Sequence, residues 1–410
     1  MEIARLNQMV ADDAAIRRRQ RLQPVGGQGD KIFPPTYPGA VRGDPPQHVY
    51  EVRNIAGDMV WCVLVDSVQS QANRLEESLS KAVADGVSIP HIMVDLSAAG
   101  LTGVTRITSL EAPHRVYDAI FRDSNYKDEP FMASAIGKRL ATASLADASA
   151  LLEVSPAALI FGAWHSTGEG GGLGAKFPRC LTSEIIAVNV PVDAVIDERS
   201  NEVRPRNLGR RTGSRIDPLG ILRRVEVYKA PDGNWATTAD AAGKGAKRVR
   251  PSEINHGNIA PTIEPLGITC DYLEHTIVLS FAGLRRLRFG SEARTVAGRS
   301  LLAALGLLAL VEQDARGYAL RSRCDLVCEG RAPLELVHPD GSTDEVSLDR
   351  EAARALYRAA YQDAARAGFD LSAEPLRLEP QEKLVEIIRR SQELALSGEG
   401  GDEGDATAKS

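Results

Sequence analysis

Aromatic side chains are scarce in this chain: Phe, Trp and Tyr make up 5% of 410 residues. So few rings argue against a surface that reads nucleobases mainly by stacking, and leave sugar and phosphate as the groups such a protein would contact. Cysteine is sparse too. The five thiols, Cys62, Cys180, Cys270, Cys324 and Cys328, form no C-x-x-C pair, and their odd, dispersed set reads as reduced thiols of a cytoplasm. The seven histidines supply no close pairs of zinc ligands. No apolar run approaches the roughly 20 residues that cross a bilayer; the longest, Leu301 to Val311, contains Gly306 and ends in Glu312. The first residues, Met-Glu-Ile-Ala-Arg, carry no apolar h-region, so no secretory signal is expected. Nor is there a G-x-S-x-G elbow. His165 and Ser166 are mere sequence neighbours, and the carboxylates do not cluster as a metal-binding set. Catalysis and metal chemistry find little support.

A basic surplus is also missing, since the formal net charge is −6. Its distribution reverses the first impression. Between Arg199 and Arg250 thirteen Lys or Arg stand against five Asp or Glu, a local balance of +8 that leaves −14 on the rest. A basic segment on an acidic body is a focused electrostatic footprint of the kind that polyanions meet. Part of the acidity lies in the Gly-, Asp- and Glu-rich end, 391–410, expected to be disordered.

What is present in abundance is glycine, at one place. Five glycines fall between Gly168 and Gly174, after a run from Ala157 to Trp164 read as a buried strand, and Lys176 and Arg179 follow at once. Glycine leaves main-chain N–H groups uncovered, and two cations beside such a loop suit phosphate oxygens. The alternative is a mobile surface loop with incidental charge. The P-loop pattern fails, because Ala175 separates Gly174 from Lys176 and Phe177 replaces the Ser or Thr. A dinucleotide fingerprint on Gly170, Gly172 and Ala175 fails at Pro178, which follows too soon for a helix, and lacks its acidic residue on a second strand. A polymeric phosphate backbone is the better candidate, with Gly171, Gly172, Lys176 and Arg179 as contacts.

The remaining elements suggest an α+β fold with insertions. We expect a helical lead of about twenty residues with Arg17, Arg18, Arg19 and Arg21 ahead of a first strand at Leu22–Val25. Strands follow at 59–66, 91–96, 185–190, 268–281 and 318–327, helices at 69–84, 299–313 and 350–367, and a hairpin joins 334–337 to 345–348 through Pro339-Asp340-Gly341. Strands and helices interleave without a regular βαβ spacing, which favours α+β over a doubly wound sheet. The segment 193–262, rich in Gly, Pro, Asn and Arg, reads as a basic insertion between a first part, 1–192, and a second, 263–390.

Two further constellations can hold polar ligands. Where the strand ending at Asp66 meets its helix, Gln69, Asn73 and Arg74 fall on neighbouring faces. They form either a platform for ribose and phosphate or the solvated side of a helix capped by Asp66 or Ser67. Around the basic insertion, Gly213 to Gly220 and Arg250 to Asn258 are turn-rich. Arg215, Asn255, His256 and Asn258 there either donate to phosphate and base edges or root the turns. Of the three tryptophans, Trp61, Trp164 and Trp235, two are expected in the core and one exposed.

FGAWHSTGEGGGLGAKFPR, LVDSVQSQANRLE, SRIDPLG, RPSEINHGNIAP and LSFAGLRRLRFG together, in order over about residues 20 to 330, resemble the backbone subunit of type I-G (formerly I-U) CRISPR surveillance, or Cascade, complexes, a Cas-seven-type RAMP protein. His165 stands where that family has Asp in W-D-S-T-G, and Ile32 to Tyr37 is a loose version of its F-Q-P-T-G-F. The resemblance implies an RRM-like (ferredoxin-like) palm with the 193–262 insertion as thumb. It implies copies stacked head to tail along CRISPR RNA, with a large subunit and a guide-end-capping and processing subunit as partners. Target DNA would pair with the guide, and a recruited helicase–nuclease would destroy it. No cofactor, metal or membrane enters that picture, and the subunit itself would not be an enzyme. Two alternatives remain, an RNA-cleaving backbone subunit of type III kind and a nucleotide-binding enzyme using the glycine loop.

Overall fold

A computed structural model describes residues 1–39, 46–165, 176–196, 203–215, 218–257 and 259–397. The chain divides into two compact units, Met1–Val190 with Thr269–Val385, and Pro191–Ile268 with Glu386–Ser410.

The first unit is built on a mixed α/β frame around an antiparallel sheet of nine strands. After helix α1 (Ile3–Asp12) the chain enters β1 (Ala15–Pro24), then a hairpin, β2 (Tyr50–Ile55) and β3 (Asp58–Asp66), and helix α2 (Val68–Ala84). A short helix, α3 (Ala157–Phe161), precedes the two-residue arms β4 (Ala163–Trp164) and β5 (Lys176–Phe177). Strands β6 (Leu181–Val188) and β7 (Tyr272–Ser280), the long helix α4 (Glu292–Arg316), and β8 (Tyr318–Arg321), β9 (Cys324–Cys328), β10 (Leu334–Val337) and β11 (Thr343–Val346) follow, then α5 (Arg350–Arg366). Across the sheet the order is β8-β9-β1-β7-β6-β3-β2, with β10 also on β1 and β11 on β10. Thus β1, β6, β7 and β9 come first to fourth in the chain but lie fourth-first-third-second in space. Helix α2 falls between first and second, α4 between third and fourth.

Both helices cover one face. Leu75 and Leu79 of α2 and Leu301, Leu305 and Leu308 of α4 share a core with Ile277 and Leu279 of β7. Gly306 permits the crossing: a Cβ there would lie 3.2 Å from Leu279 and 3.3 Å from Leu181, closer than side chains normally pack. By length and composition α4 could cross a membrane, but 89% of its apolar window is buried inside the protein, as suits a core helix.

A polar layer runs through this packed face. His275 is fully buried, and desolvation pushes its pKa down to about 3, keeping the ring neutral. It meets Ser183 Oγ at 2.7 Å and Tyr318 at 3.2 Å, while Tyr318 bonds Asp314, which takes a 2.7 Å bond from Arg18. Ser and His at that distance would suit nucleophilic catalysis, but at 2% and 0% exposure neither meets a substrate. They tie the sheet to α4.

Several sequence expectations are corrected here. The four arginines lie inside β1, not in a helical lead. Arg18 alternates inward with Ile16, Gln20 and Leu22, while Arg17, Arg19 and Arg21 face out, the period of two that a strand imposes. The run 157–164 is a helix broken at Gly162 rather than a strand, because a short, wholly apolar segment has no periodicity to separate the two. The stretch 318–327 is a hairpin turning at Arg323, φ 55°. A helix, α6 (Glu382–Ser397), occupies the first residues of the end expected to be disordered, with Arg389 and Arg390 paired to Glu386; 398–410 lie outside the described residues.

The second unit contains more order than its composition suggests. A hairpin pairs Val192–Ile196 with Val203–Asn207, Arg211–Arg215 pairs with Ile259–Glu264, and Val227–Lys229 lies between Trp235–Ala236 and Lys247–Val249. Buried Asn207 bonds the carbonyls of Pro265 and Gly267, both at 3.0 Å, and pins the ends of the segment together.

Candidate nucleic-acid interface

The local structure around the glycine loop follows from Gly162. Its φ of 85° ends α3 and reverses the chain, and a Cβ would meet the Phe177 carbonyl and the Arg179 side chain at 3.1 Å. The arms close below the loop, Ala163 opposite Phe177 and Trp164 opposite Lys176. Gly171, Gly172 and the rest of 166–175 lie outside the described residues. Trp164 and His165 line different cavities beside this stem. His165 stacks on Tyr117, ring centroids 4.7 Å apart and planes 5° from parallel, beside a cavity of about 610 Å³ that Arg122 and Lys138 also line.

On the Trp164 side is a cleft of about 500 Å³ lined by His114, Arg115, Arg122, Trp164, Lys176 and Arg179, among others. Arg115 forms its floor. It donates to both oxygens of Glu76, at 2.6 and 2.7 Å, and to the Gly162 carbonyl at 3.0 Å, so one buried ion pair ties α2 to the loop's point of departure. Burial pushes the Glu76 carboxyl up to about 7, while Arg115 pulls it back down. Arg179 sits close enough to feel both. Burial and then Arg115 lower its pKa, and Glu76 alone opposes them. The floor therefore holds two guanidiniums against one carboxylate.

Lys176 adds a further charge. Its ammonium lies 5.9 Å from the centre of the Trp164 ring, at cation–π range. Among the described residues neither Lys176 nor Arg179 has an ion-pair partner. Arg122 pairs with Asp123, but so does Lys383, at 2.8 Å. A partly walled groove with cations in excess of carboxylates attracts an anion more strongly than the same charges on an open surface.

The other expected contact residues divide. Ser67 caps α2, its hydroxyl accepting from Ser70 N–H, and Gln69 and Asn73 lie exposed on that helix, apart from the lining of the cleft. Arg74 turns inward, bonding Asp66 at 2.8 Å and the Leu320 carbonyl at 2.7 Å. Asp66 is wholly buried and also receives Ser70, Gln71 and Arg321. Arg74 thus joins α2 to the sheet edge, neither solvated nor turned toward the cleft. In the second unit Arg215 ends a strand, with Ile259 as its partner. Asn255 adopts a left-handed φ of 61°, closing the turn after Pro251–Ile254, and the His256 ring meets the edge of Trp235 at 5.6 Å. Asn258 lies outside the described residues.

The expected split of the tryptophans, two in the core and one exposed, is reversed. Trp164 is 62% and Trp235 45% exposed, while Trp61 is half-buried, so two of the three face solvent. Arg115 and Glu76 escaped notice because nothing in their sequence surroundings marks them; they meet only through folding. Among the described residues no group of three or more His, Cys, Asp or Glu is set to hold a metal.

Residues 16–192 match the family model described as CRISPR-associated protein GSU0053. The chain is thus similar to CRISPR-associated proteins over that span, which contains the sheet's first strands, α2 and the whole cleft. Among solved structures it matches Csc2 of Thermofilum pendens at 9% identity and a TM-score of 0.28, covering 96% of this chain and 80% of that one, a likeness too slight to carry an argument. No curated protein matches the chain.

Proposed function

We propose that this protein is a crRNA-binding backbone subunit of a Cascade-type complex, of type I-G, that holds guide RNA by its phosphates and presents the bases for pairing with target DNA. The observation that carries the reading is the cleft at the stem of the glycine loop, where Lys176 and Arg179 lack carboxylate partners among the described residues. The family match over 16–192 supplies the biological setting. The strand order fourth-first-third-second, with both helices on one face, supports an RRM-like palm formed by 1–192 and 263–390, and the basic segment 193–262 is its thumb.

Copies stack head to tail along the RNA in the cytoplasm, other Cascade subunits close the ends, and a separate helicase–nuclease destroys the target. Head-to-tail association has no stoichiometry of its own, so RNA length sets it. Base pairing carries the sequence specificity while the protein reads phosphate and shape. The subunit is a holder rather than an enzyme.

Binding to labelled single-stranded RNA of increasing length, at two salt concentrations, tests this. Stoichiometry should climb in steps with length, and affinity should fall with salt. A single binding event independent of length, or saturable binding of a mononucleotide with no preference for longer RNA, would return the glycine loop to a small ligand.

A further inference from the structure

We infer that Trp164 is a stacking platform for one nucleobase of the bound strand, at the mouth of the cleft whose floor holds the phosphate. The inference rests on the RNA-holding reading and goes beyond it, since the scarcity of rings pointed to contacts with sugar and phosphate alone.

Burial is the first argument. A tryptophan left 62% exposed forfeits a large apolar contribution, yet this one is held in place: its backbone pairs with Lys176 in a stem fixed by the Gly162 turn. An exposed, amphipathic ring on a paired backbone is what a stacking platform requires. Position is the second argument. Trp164 lines the same cleft as Lys176 and Arg179, so a nucleotide with its phosphate between those cations has its base within reach of the ring. The third is chemistry. Lys176 lies over the indole at 5.9 Å, and a cation at an aromatic face is a geometry that base and phosphate together can replace, the phosphate taking the ammonium and the base the ring. Such stacking is tolerant of sequence, since every base has a π-face.

The experiment uses the full-length protein and two oligomers of equal length, a uridine RNA and an abasic ribose-phosphate strand with the same number of phosphates. The wild type should prefer the base-bearing strand by about 5- to 100-fold, the span that stacking of one base represents. Trp164→Ala should erase that preference while leaving affinity for the abasic strand within about twofold, and Trp164→Phe should retain most of it. In a Trp61→Phe/Trp235→Phe variant, where Trp164 alone emits, RNA should quench the fluorescence and the abasic strand should not.

If the wild type binds both strands equally, or Trp164→Ala keeps the preference, the stacking inference is wrong. Lys176→Glu with Arg179→Glu separates the two levels. Weakened binding of both strands by that pair, together with no effect of Trp164→Ala, removes the stacking and leaves the RNA holder standing. Unchanged binding by the charge-reversed pair, or no binding of either strand by the wild type, removes both.

Discussion

Two surfaces of the first unit are rich in arginine, and they differ in what faces the charge. On the outer face of the sheet, Arg17 meets Glu335 at 2.6 Å, Arg19 meets Glu274 at 2.7 Å, and Arg53 meets Glu184 at 2.8 Å. Arg21 lies over the Tyr272 ring at 4.1 Å. Cation and carboxylate pair between strands, and little net field is left. At the stem of the glycine loop the buried Arg115–Glu76 pair is complete in itself, and Lys176 and Arg179 are added without counterparts among the described residues. Of four arginines clustered in sequence, Arg17 and Arg19 are matched on the outer wall and Arg18 inside it by Asp314, whereas two cations spaced three apart make the electropositive cleft. A count of basic residues does not locate a phosphate site; the count of carboxylates within reach does.

The strongest way to break the compensated side is to remove Asp66. Its carboxylate neutralises Arg74 and Arg321 from a fully buried position, and Asp66→Ala would strand both guanidiniums at the sheet edge. Denaturant unfolding should show a loss of about 3 kcal/mol, since an orphaned charge costs more than its pair contributed. A loss under about 0.5 kcal/mol would mean that water replaces the carboxylate and that the network is not framework.

Charge reversal in the cleft comes next. Lys176→Glu with Arg179→Glu should lower single-stranded RNA affinity by about 10- to 100-fold and shrink the salt slope by roughly 0.7 for each lost phosphate contact. Thermal stability should barely change, because neither side chain has an ion pair to lose among the described residues. Arg19→Glu on the sheet face is the matched reversal. It sets two carboxylates side by side yet should cost less than about 1 kcal/mol at a surface pair, and RNA affinity should stay within about twofold. Equal loss of RNA binding from both reversals would erase the distinction between the two surfaces.

The smallest effect concerns pH. His338 lies between Asp13, at 2.7 Å, and Asp344, at 3.1 Å, and these bonds raise its pKa above the ordinary value. The contribution to stability is complete below the unfolded pKa near 6.5, and it fades as pH rises through the higher folded value. Melting temperature should therefore slip between those two pH values in the wild type. A His338→Gln variant should remove that segment of the curve, and an unchanged profile would show the bridge to be inert.

Much of the frame was legible in sequence because it rests on local signals. Residues 68–84 have a Ser cap and an amphipathic period, and 350–366 have an Asp cap with the same stripe, so both helices stand as expected. The strand ending at Asp66 carries a β-rich run of Met, Val, Trp and Leu. Legibility failed where local signals conflict with tertiary pairing. Four arginines in five residues do not read as a strand, yet β7 on one side and β9 and β10 on the other supply the partners that make one. An all-apolar run of five residues has no preferred period, and only its burial against α4 selects the helix.

The sequence by itself determined that a glycine-rich loop is followed by two cations, that a basic segment interrupts an acidic chain, and that the ordered motifs resemble those of CRISPR-associated proteins. These are properties of composition and order along the chain, and no folding is needed to read them. Tertiary structure alone decided which charges are matched by carboxylates among the described residues. Arg74, Arg17 and Arg19 are matched by carboxylates up to more than 300 residues away, while Arg179 shares its surroundings with a Glu76 already claimed by Arg115. Electrostatic attraction depends on distance in space and on burial, and neither is written in the spacing of residues.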